Sequence, residues 1–375
     1  IQYVDSPKLL QEFNLESGVP QVVTRRCAVE VTGSALDNEV TGGAEERINS
    51  SSNKDDRSLE AIRDSDMLLK RVLTSNSKVP KQCLLKVFRR TTRCVKVWAK
   101  RRGIYGTSFG FPGGFALSVL VAAFMNKEAP KWTPPQVDAD HFHVTVLGGF
   151  FDFYSKFSWD QFAVDIEEKS GVSSLLPQSN MLPMTVLTPL RRRNSCRSST
   201  RTTLQIFQRE LAQTAISLSN ETSPSTFLLP QVKEFLASSV HFLCLEVLGD
   251  DTSKVAEGLG FLESRIVPLL VSLSQSESDL GVRPWSSTFM SDKGWRSPIE
   301  NGEGLGEVSG FILFAISSQA TLNDSLDLSE ESIQSKTLQH CLNDNVGSFF
   351  QKAFGHHANI TYRDEVVERS RIIKI

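Results

Sequence analysis

Two lysines four residues apart, Lys96 and Lys100, stand in a stretch that contains no acidic residue. On a helix that spacing puts both ammonium groups on one face, where they can reach a single anion. Tyr105 follows just past the expected helix end and adds a phenolic donor. Gly113 and Gly114 come next, and a glycine pair lets backbone approach a flat ligand closely. Cations and hydroxyls fixed on rigid elements are what the concentrated charge of a polyphosphate requires. The same residues also fit a solvated basic face, or general contact with nucleic-acid phosphates. The glycine pair also suits a tight turn into the helix that follows.

The element that must carry the lysines is written in the periodicity. At 100° per residue, Leu84, Phe88, Val95, Trp98 and Ala99 fall on one side of a helix over 84–102. Lys86, Arg89, Arg90, Arg93, Lys96 and Lys100 fall on the other. From Lys81 to Arg102 there are nine basic residues and no acidic one. A merely solvated helix mixes signs for i,i+4 support, so an uncompensated positive face is informative. Phe109-Gly-Phe-Pro-Gly-Gly114 signals a turn. The apolar run Phe115 to Met125 suits a buried helix and is too short to span a bilayer.

Residues 17–57 lose apolar periodicity and predict a mobile loop or insertion. Residues 56–124 read as helical, and 141–162 as apolar and aromatic. A Ser/Pro/Arg segment near 171–203 reads as a boundary. Beyond it, 241–248 and 308–317 predict strands, 253–273 and 333–354 predict helices, and 359–373 alternates in part. The stretch 276–306 predicts a loop. Strands interleaved with helices imply an α+β chain of several domains.

Composition narrows the function classes. The 375 residues carry 41 Lys plus Arg against 43 Asp plus Glu, which excludes a globally basic nucleic-acid coat protein. With 40% hydrophobic and 22% charged residues, a wholly disordered chain is excluded too. Six cysteines without a C-x-x-C pair argue against structural zinc and against a disulfide scaffold, and point to the cytosol or nucleus. The first residue is Ile, so a fragment is expected. Asp138, Asp140, His141 and His143 form a D-x-D-H-x-H cluster, which a helix start explains better than a metal site. Arg191, Arg192, Arg193, Arg197 and Arg201 form a second basic cluster, either a phosphate grip or a disordered loop. Trp98, Trp159 and His241 read as core.

The run Phe88-Arg-Arg-Thr-Thr-Arg-Cys-Val-Lys-Val-Trp-Ala-Lys-Arg-Arg-Gly-Ile-Tyr105, followed by Gly110-Phe-Pro-Gly-Gly114, resembles the central domain of eukaryotic nuclear poly(A) polymerases. Fainter echoes follow in order: Asp55-Asp56-Arg-Ser-Leu59, Phe150 to Trp159, Thr188-Pro189, Ser199-Thr200 and Gly260 to Arg265. The resemblance implies a helical central domain over 58–180 and an RRM-like α/β-sandwich RNA-binding domain over 181–375. Residues 1–57 would then be a remnant of a nucleotidyltransferase domain with an insertion. It implies addition of AMP from ATP to RNA 3′ ends in the nucleus, with Mg²⁺ or Mn²⁺ held by carboxylates lying mostly outside this chain. The pre-mRNA cleavage and polyadenylation complex is the implied partner, and no membrane is. Lys96, Lys100 and Tyr105 are the implied triphosphate contacts, with Thr107, Gly113, Gly114 and Phe115 near the base. The family usually has Asn at position 107 and Val at position 115. Thr lacks the amide's paired donor and acceptor, so a terminal uridylyltransferase stays open. Asp5 is a candidate third carboxylate. No G-S followed at the family's distance by D-x-D is present, so a non-catalytic RNA-binding or scaffold paralogue also stays open.

Overall fold

A computed structural model describes residues 3–5, 46–74, 77–132, 139–174, 182–220, 232–237, 239, 241–249, 251–275, 280–291, 308–318, 345–346, 348–349, 351 and 366–374. Helices dominate the first part. They are α1 (Glu46–Leu73), α2 (Lys81–Arg101), α3 (Gly114–Glu128), α4 (Ala139–Ser155) and α5 (Arg201–Ser219). A small antiparallel ribbon of β2 (Phe162–Val164) and β3 (Val172–Ser174) lies between α4 and α5. A short helix α6 (Val232–Ala237) leads into the second part. There, strand β4 (His241–Gly249) is followed by helix α7 (Thr252–Gln275) and strands β5 (Leu280–Pro284), β6 (Phe289–Ser291), β7 (Val308–Ser318) and β8 (Val366–Lys374). The chain is therefore mixed helix and sheet, of the α+β class.

Helix α3 is apolar on all sides, and Ala116 through Met125 are all buried. Helices α1, α2 and α4 pack against it. Helix α2 buries Leu84, Val87, Phe88, Val95, Trp98 and Ala99, the stripe its periodicity predicts. Trp98 meets Phe151 of α4 edge-on at 4.8 Å and Phe207 of α5 at 6.0 Å. Its indole N–H donates to Thr214 Oγ1 at 2.9 Å, so the buried polar atom is satisfied. Helix α5 begins at a capping box, Thr200 with Thr203. Because α5 packs on α4 and on Trp98, residues 201–219 sit with the helices. The expected boundary between 180 and 181 does not coincide with this packing.

The second sheet runs β1-β8-β4-β7-β5, with β1 (Tyr3–Asp5) parallel to β8, the other neighbours antiparallel, and β6 also on β7. Period-two alternation splits β4 cleanly. Leu243, Leu245 and Val247 join the core shared with α7, whereas Phe242 and Cys244 join a second cluster with Val232, Phe235 and Trp285. Strand β7 alternates in the same way, with Ile312, Phe314 and Ile316 on the α7 side. The α7-side cluster is continuous with the core of α2 and α3, so the two parts share apolar packing.

Three sequence expectations change. Helix α1 already begins at Glu46, inside the stretch expected to be a loop to 57. The expected loop over 276–306 contains β5 and β6, which pair with the distant β7. Arg191, Arg192 and Arg193 form no disordered cluster: they pair with Glu60, with Asp165 and, at 3.9 Å, again with Glu60. Those contacts tie the segment before α5 to α1 and to β2.

Candidate functional site

The end of α2 sets the geometry. Gly103 N–H donates to Lys100 O at 3.2 Å and Ile104 N–H to Ala99 O at 2.9 Å. This is the paired closure of a Schellman motif, with Gly103 at φ +67° and Ile104 buried beneath the helix end. Arg-Arg-Gly-Ile is a helix stop legible in the sequence. What it accomplishes is a sharp turn that sends Tyr105 back across the face of α2.

Four predicted residues meet there. A methyl group added to Gly114 would lie 2.7 Å from Tyr105 Oη and 3.4 Å from Lys96 Nζ. The phenol and the ammonium therefore converge on the first residue of α3. Lys100 Nζ stands 4.7 Å from the centre of the Tyr105 ring. Lys96 and Tyr105 are half-buried, and Lys100 is exposed. The N-cap of α3 is Gly113, which supplies no side-chain cap, and the first intrahelical bond runs from Leu117 N–H to Gly113 O at 3.0 Å. The amides of Gly114, Phe115 and Ala116 thus have no intrahelical acceptor. Two cations, a phenol and a helix N-terminus together favour an anion.

The other predicted residues border this point. Thr107 is exposed, and its Cγ2 lies 3.6 Å from where a Cβ on Gly113 would sit. Thr107 O accepts from Ser198 Oγ at 2.6 Å. Phe115 is half-buried and packs on the core. Asp5 is elsewhere: its strand pairs with β8, Asp5 opposite Lys374. Asp138 lies outside the described residues, and α4 begins at Ala139. Among the described residues no group of three or more His, Cys, Asp or Glu is placed to hold a metal ion. The implied divalent ions thus have no described ligand set in this chain. No helix among the described residues is long and apolar enough to cross a membrane.

Basic residues on α2 separate by role. Lys86, Arg89, Arg93 and Lys100 are exposed, as the amphipathic reading expects. Arg102 is not part of that face. It is buried and donates to Glu210 Oε2 of α5 at 2.6 Å, while Arg283 of β5 donates to Glu210 Oε1 at 3.0 Å. Lys100 and Arg101 in the last turn complement the helix dipole, which accounts for some of the positive charge without a ligand. Lys96 lies further in, four residues from a like charge, an arrangement that costs an isolated helix about 0.2–0.5 kcal/mol.

Sequence reading missed the supports of this site. Ser198, Ser286 and Glu263 reach the 103–108 segment from distant parts of the chain. Burial raises the Glu263 carboxyl above its ordinary value, and a hydrogen bond from Ser108 partly opposes this. No local pattern marks such partners, because each is made only by the tertiary fold.

Residues 87–224 match the family model of the poly(A) polymerase central domain. Poly(A) polymerase PAPalpha of Candida albicans is 26% identical over 72% of this chain and 48% of its own length. Nuclear poly(A) polymerase 3 of Arabidopsis thaliana is 36% identical over 22% of this chain and 15% of its own. A solved structure of the Cid1 poly(U) polymerase superposes with a TM-score of 0.33 at 17% identity, over 39% of this chain and 57% of that one. An overlap that small says nothing about specificity. The chain spans about half, or less, of the length of these two curated relatives. The motif from Phe88 to Gly114 falls within the family-model match, and it is over this segment that the chain is similar to eukaryotic poly(A) polymerases.

Proposed function

We propose that the full-length protein transfers AMP from ATP to the 3′ end of RNA, and that this chain contributes one wall of the triphosphate site. The observation that carries the reading is the convergence of Lys96 Nζ and Tyr105 Oη on Gly114, with Lys100 over the tyrosine ring. In the reaction the RNA 3′-hydroxyl oxygen attacks the α-phosphorus of ATP and pyrophosphate leaves. Negative charge grows on the leaving group, and that is where fixed cations and hydroxyl donors help most. Lys96 and Lys100 would neutralise the β- and γ-phosphates, Tyr105 would donate to one of their oxygens, and the α3 amides would complete the cradle. Divalent ions, held by carboxylates outside this chain, would activate the attacking hydroxyl and screen the triphosphate. Gly113 and Thr107 would border the base, and Phe115 would lie next to them.

The strand order β8-β4-β7-β5, with α7 connecting β4 to β5, supports an RRM-like second domain. On this reading the helical domain extends through α5 and the RRM-like domain begins near α6. On the sheet face away from α7, Phe242 is buried against Phe235 of α6 and Phe311 is buried with its ring stacked on Phe289, so they offer no stacking platform for bases. RNA would instead meet the exposed cations Lys86, Arg89 and Arg93 through its phosphates. A nuclear location and work within the cleavage and polyadenylation complex accord with the relatives named nuclear poly(A) polymerases.

Primer extension with the full-length protein tests the reading. ATP incorporation at an RNA 3′ end is expected, with strong loss on Lys96→Met. No incorporation with Mg²⁺ or Mn²⁺ would reject the enzyme and leave an RNA-binding paralogue. One residue favours a second reading. Thr107 turns a methyl towards Gly113 where a paired amide donor and acceptor would select adenine. Competition among the four nucleoside triphosphates decides between an adenylyl and a uridylyl transferase.

A further inference from the structure

We propose that Ser286, with Trp285 beside it, is a positioning residue for Tyr105, so that the sheet domain sets where the phenol stands in the nucleotide wall. The inference rests on the reading of that wall given above. Tyr105 lies on a turn, not on α2, so the helix alone does not fix its backbone. Two hydrogen bonds to one residue of the other domain do. Tyr105 N–H donates to Ser286 Oγ at 3.1 Å, and Ser286 N–H donates to Gly103 O at 3.3 Å. This bracket spans the three residues that turn the chain.

The bracket is itself anchored. Trp285 N–H donates to Leu313 O of β7 at 2.9 Å. Its ring is buried, 4.9 Å from the Phe235 ring, and lies flat against Gly103. A methyl on Gly103 would stand 2.3 Å from Trp285 Cε3, so only glycine lets the ring come this close. Glu210, held between Arg102 and Arg283, fixes the same approach from behind. Beyond Tyr105 the chain is closed again, with Gly106 N–H donating to Pro112 O at 3.2 Å and Phe111 N–H to Gly106 O at 3.1 Å. Tyr105 is thus pinned on one side by the sheet domain and on the other by the turn that leads into α3. The distance of its hydroxyl from Gly114 follows from both.

The experiment is equilibrium binding of radiolabelled ATP to the full-length protein. It compares wild type, Ser286→Ala, Ser286→Thr, Tyr105→Phe and the Ser286→Ala/Tyr105→Phe double variant. Removing the tyrosine hydroxyl, a donor to a charged phosphate, should weaken ATP binding about tenfold to 150-fold. Ser286→Ala should weaken it by a similar factor with Tyr105 still present, and Ser286→Thr, which keeps the hydroxyl, should restore it. The double variant should bind no more weakly than Tyr105→Phe alone, because the serine acts through the tyrosine. Additive losses, unchanged affinity in Ser286→Ala, or no recovery with threonine would each overturn the positioning role while leaving the wall in place. An unchanged affinity in Tyr105→Phe would overturn the wall, and the positioning role with it.

Discussion

Gly114→Ala separates folding from ligand binding. The added methyl would lie 2.7 Å from Tyr105 Oη, 3.4 Å from Lys96 Nζ and 3.5 Å from Lys96 Cε. Comfortable contact begins near 3.5 Å, so the phenol must retreat by about 0.8 Å and the lysine tip by far less. Both are far ends of side chains, and they move at little cost. Alanine is the better helix former by about 0.5–1 kcal/mol in a helix interior, and by less at a first residue. The melting temperature should therefore stay level or rise slightly. Binding should suffer, because the methyl occupies the space beside the α3 amides and displaces the phenol. A hydrogen bond to a charged group is worth about 1.5–3 kcal/mol, which is about a tenfold to 150-fold loss of ATP affinity. Isothermal titration with ATP and a thermal melt on the same preparation measure both quantities. Full ATP affinity in a stably folded Gly114→Ala protein would refute the argument that this surface faces the nucleotide.

Three further perturbations probe the scaffold. Glu210→Ala leaves Arg102 and Arg283 buried and facing each other, so urea denaturation should show a loss of about 3–5 kcal/mol; a loss below about 1 kcal/mol would mean the triad does not hold the domains. Arg192→Gln strands the buried Asp165 and should lower stability without changing RNA affinity; weaker RNA binding at equal stability would restore the phosphate-grip reading of Arg191 to Arg193. Glu263 gives a pH test. Its raised pKa comes first from desolvation, so the folded chain holds that proton more tightly than the unfolded chain. Its stabilising contribution is full below the ordinary carboxylate value and is lost as pH rises through the raised one. Relative to Glu263→Gln, wild type should lose stability as pH rises from the ordinary carboxylate value through the raised one, and parallel stability curves would contradict this.

Much of the site was legible because its signals are local. The 3.6-residue period of Leu84, Phe88, Val95 and Trp98 fixed which side of α2 is buried, and so which lysines share a face. The periodicity ended the helix at 102, next to the Gly103 turn, and the glycines before Phe115 marked the next start. The supports were not legible because they depend on long-range pairing. Arg102 reads as one more basic residue until Glu210, far along the chain, arrives beside it. Strand β5 holds Gly281 and Pro284, poor strand formers, and is extended only because β7 pairs with it. The Ser-rich start of α1 carried no apolar stripe, so its helical state was invisible to periodicity.

The most direct measurement is photocrosslinking of the full-length protein with an azido-adenine analogue of ATP, followed by mapping of the labelled peptide. The account predicts labelling within residues 96–116, suppressed by excess ATP and reduced in Lys96→Met. Label confined to peptides outside that segment, or insensitive to ATP, would contradict it.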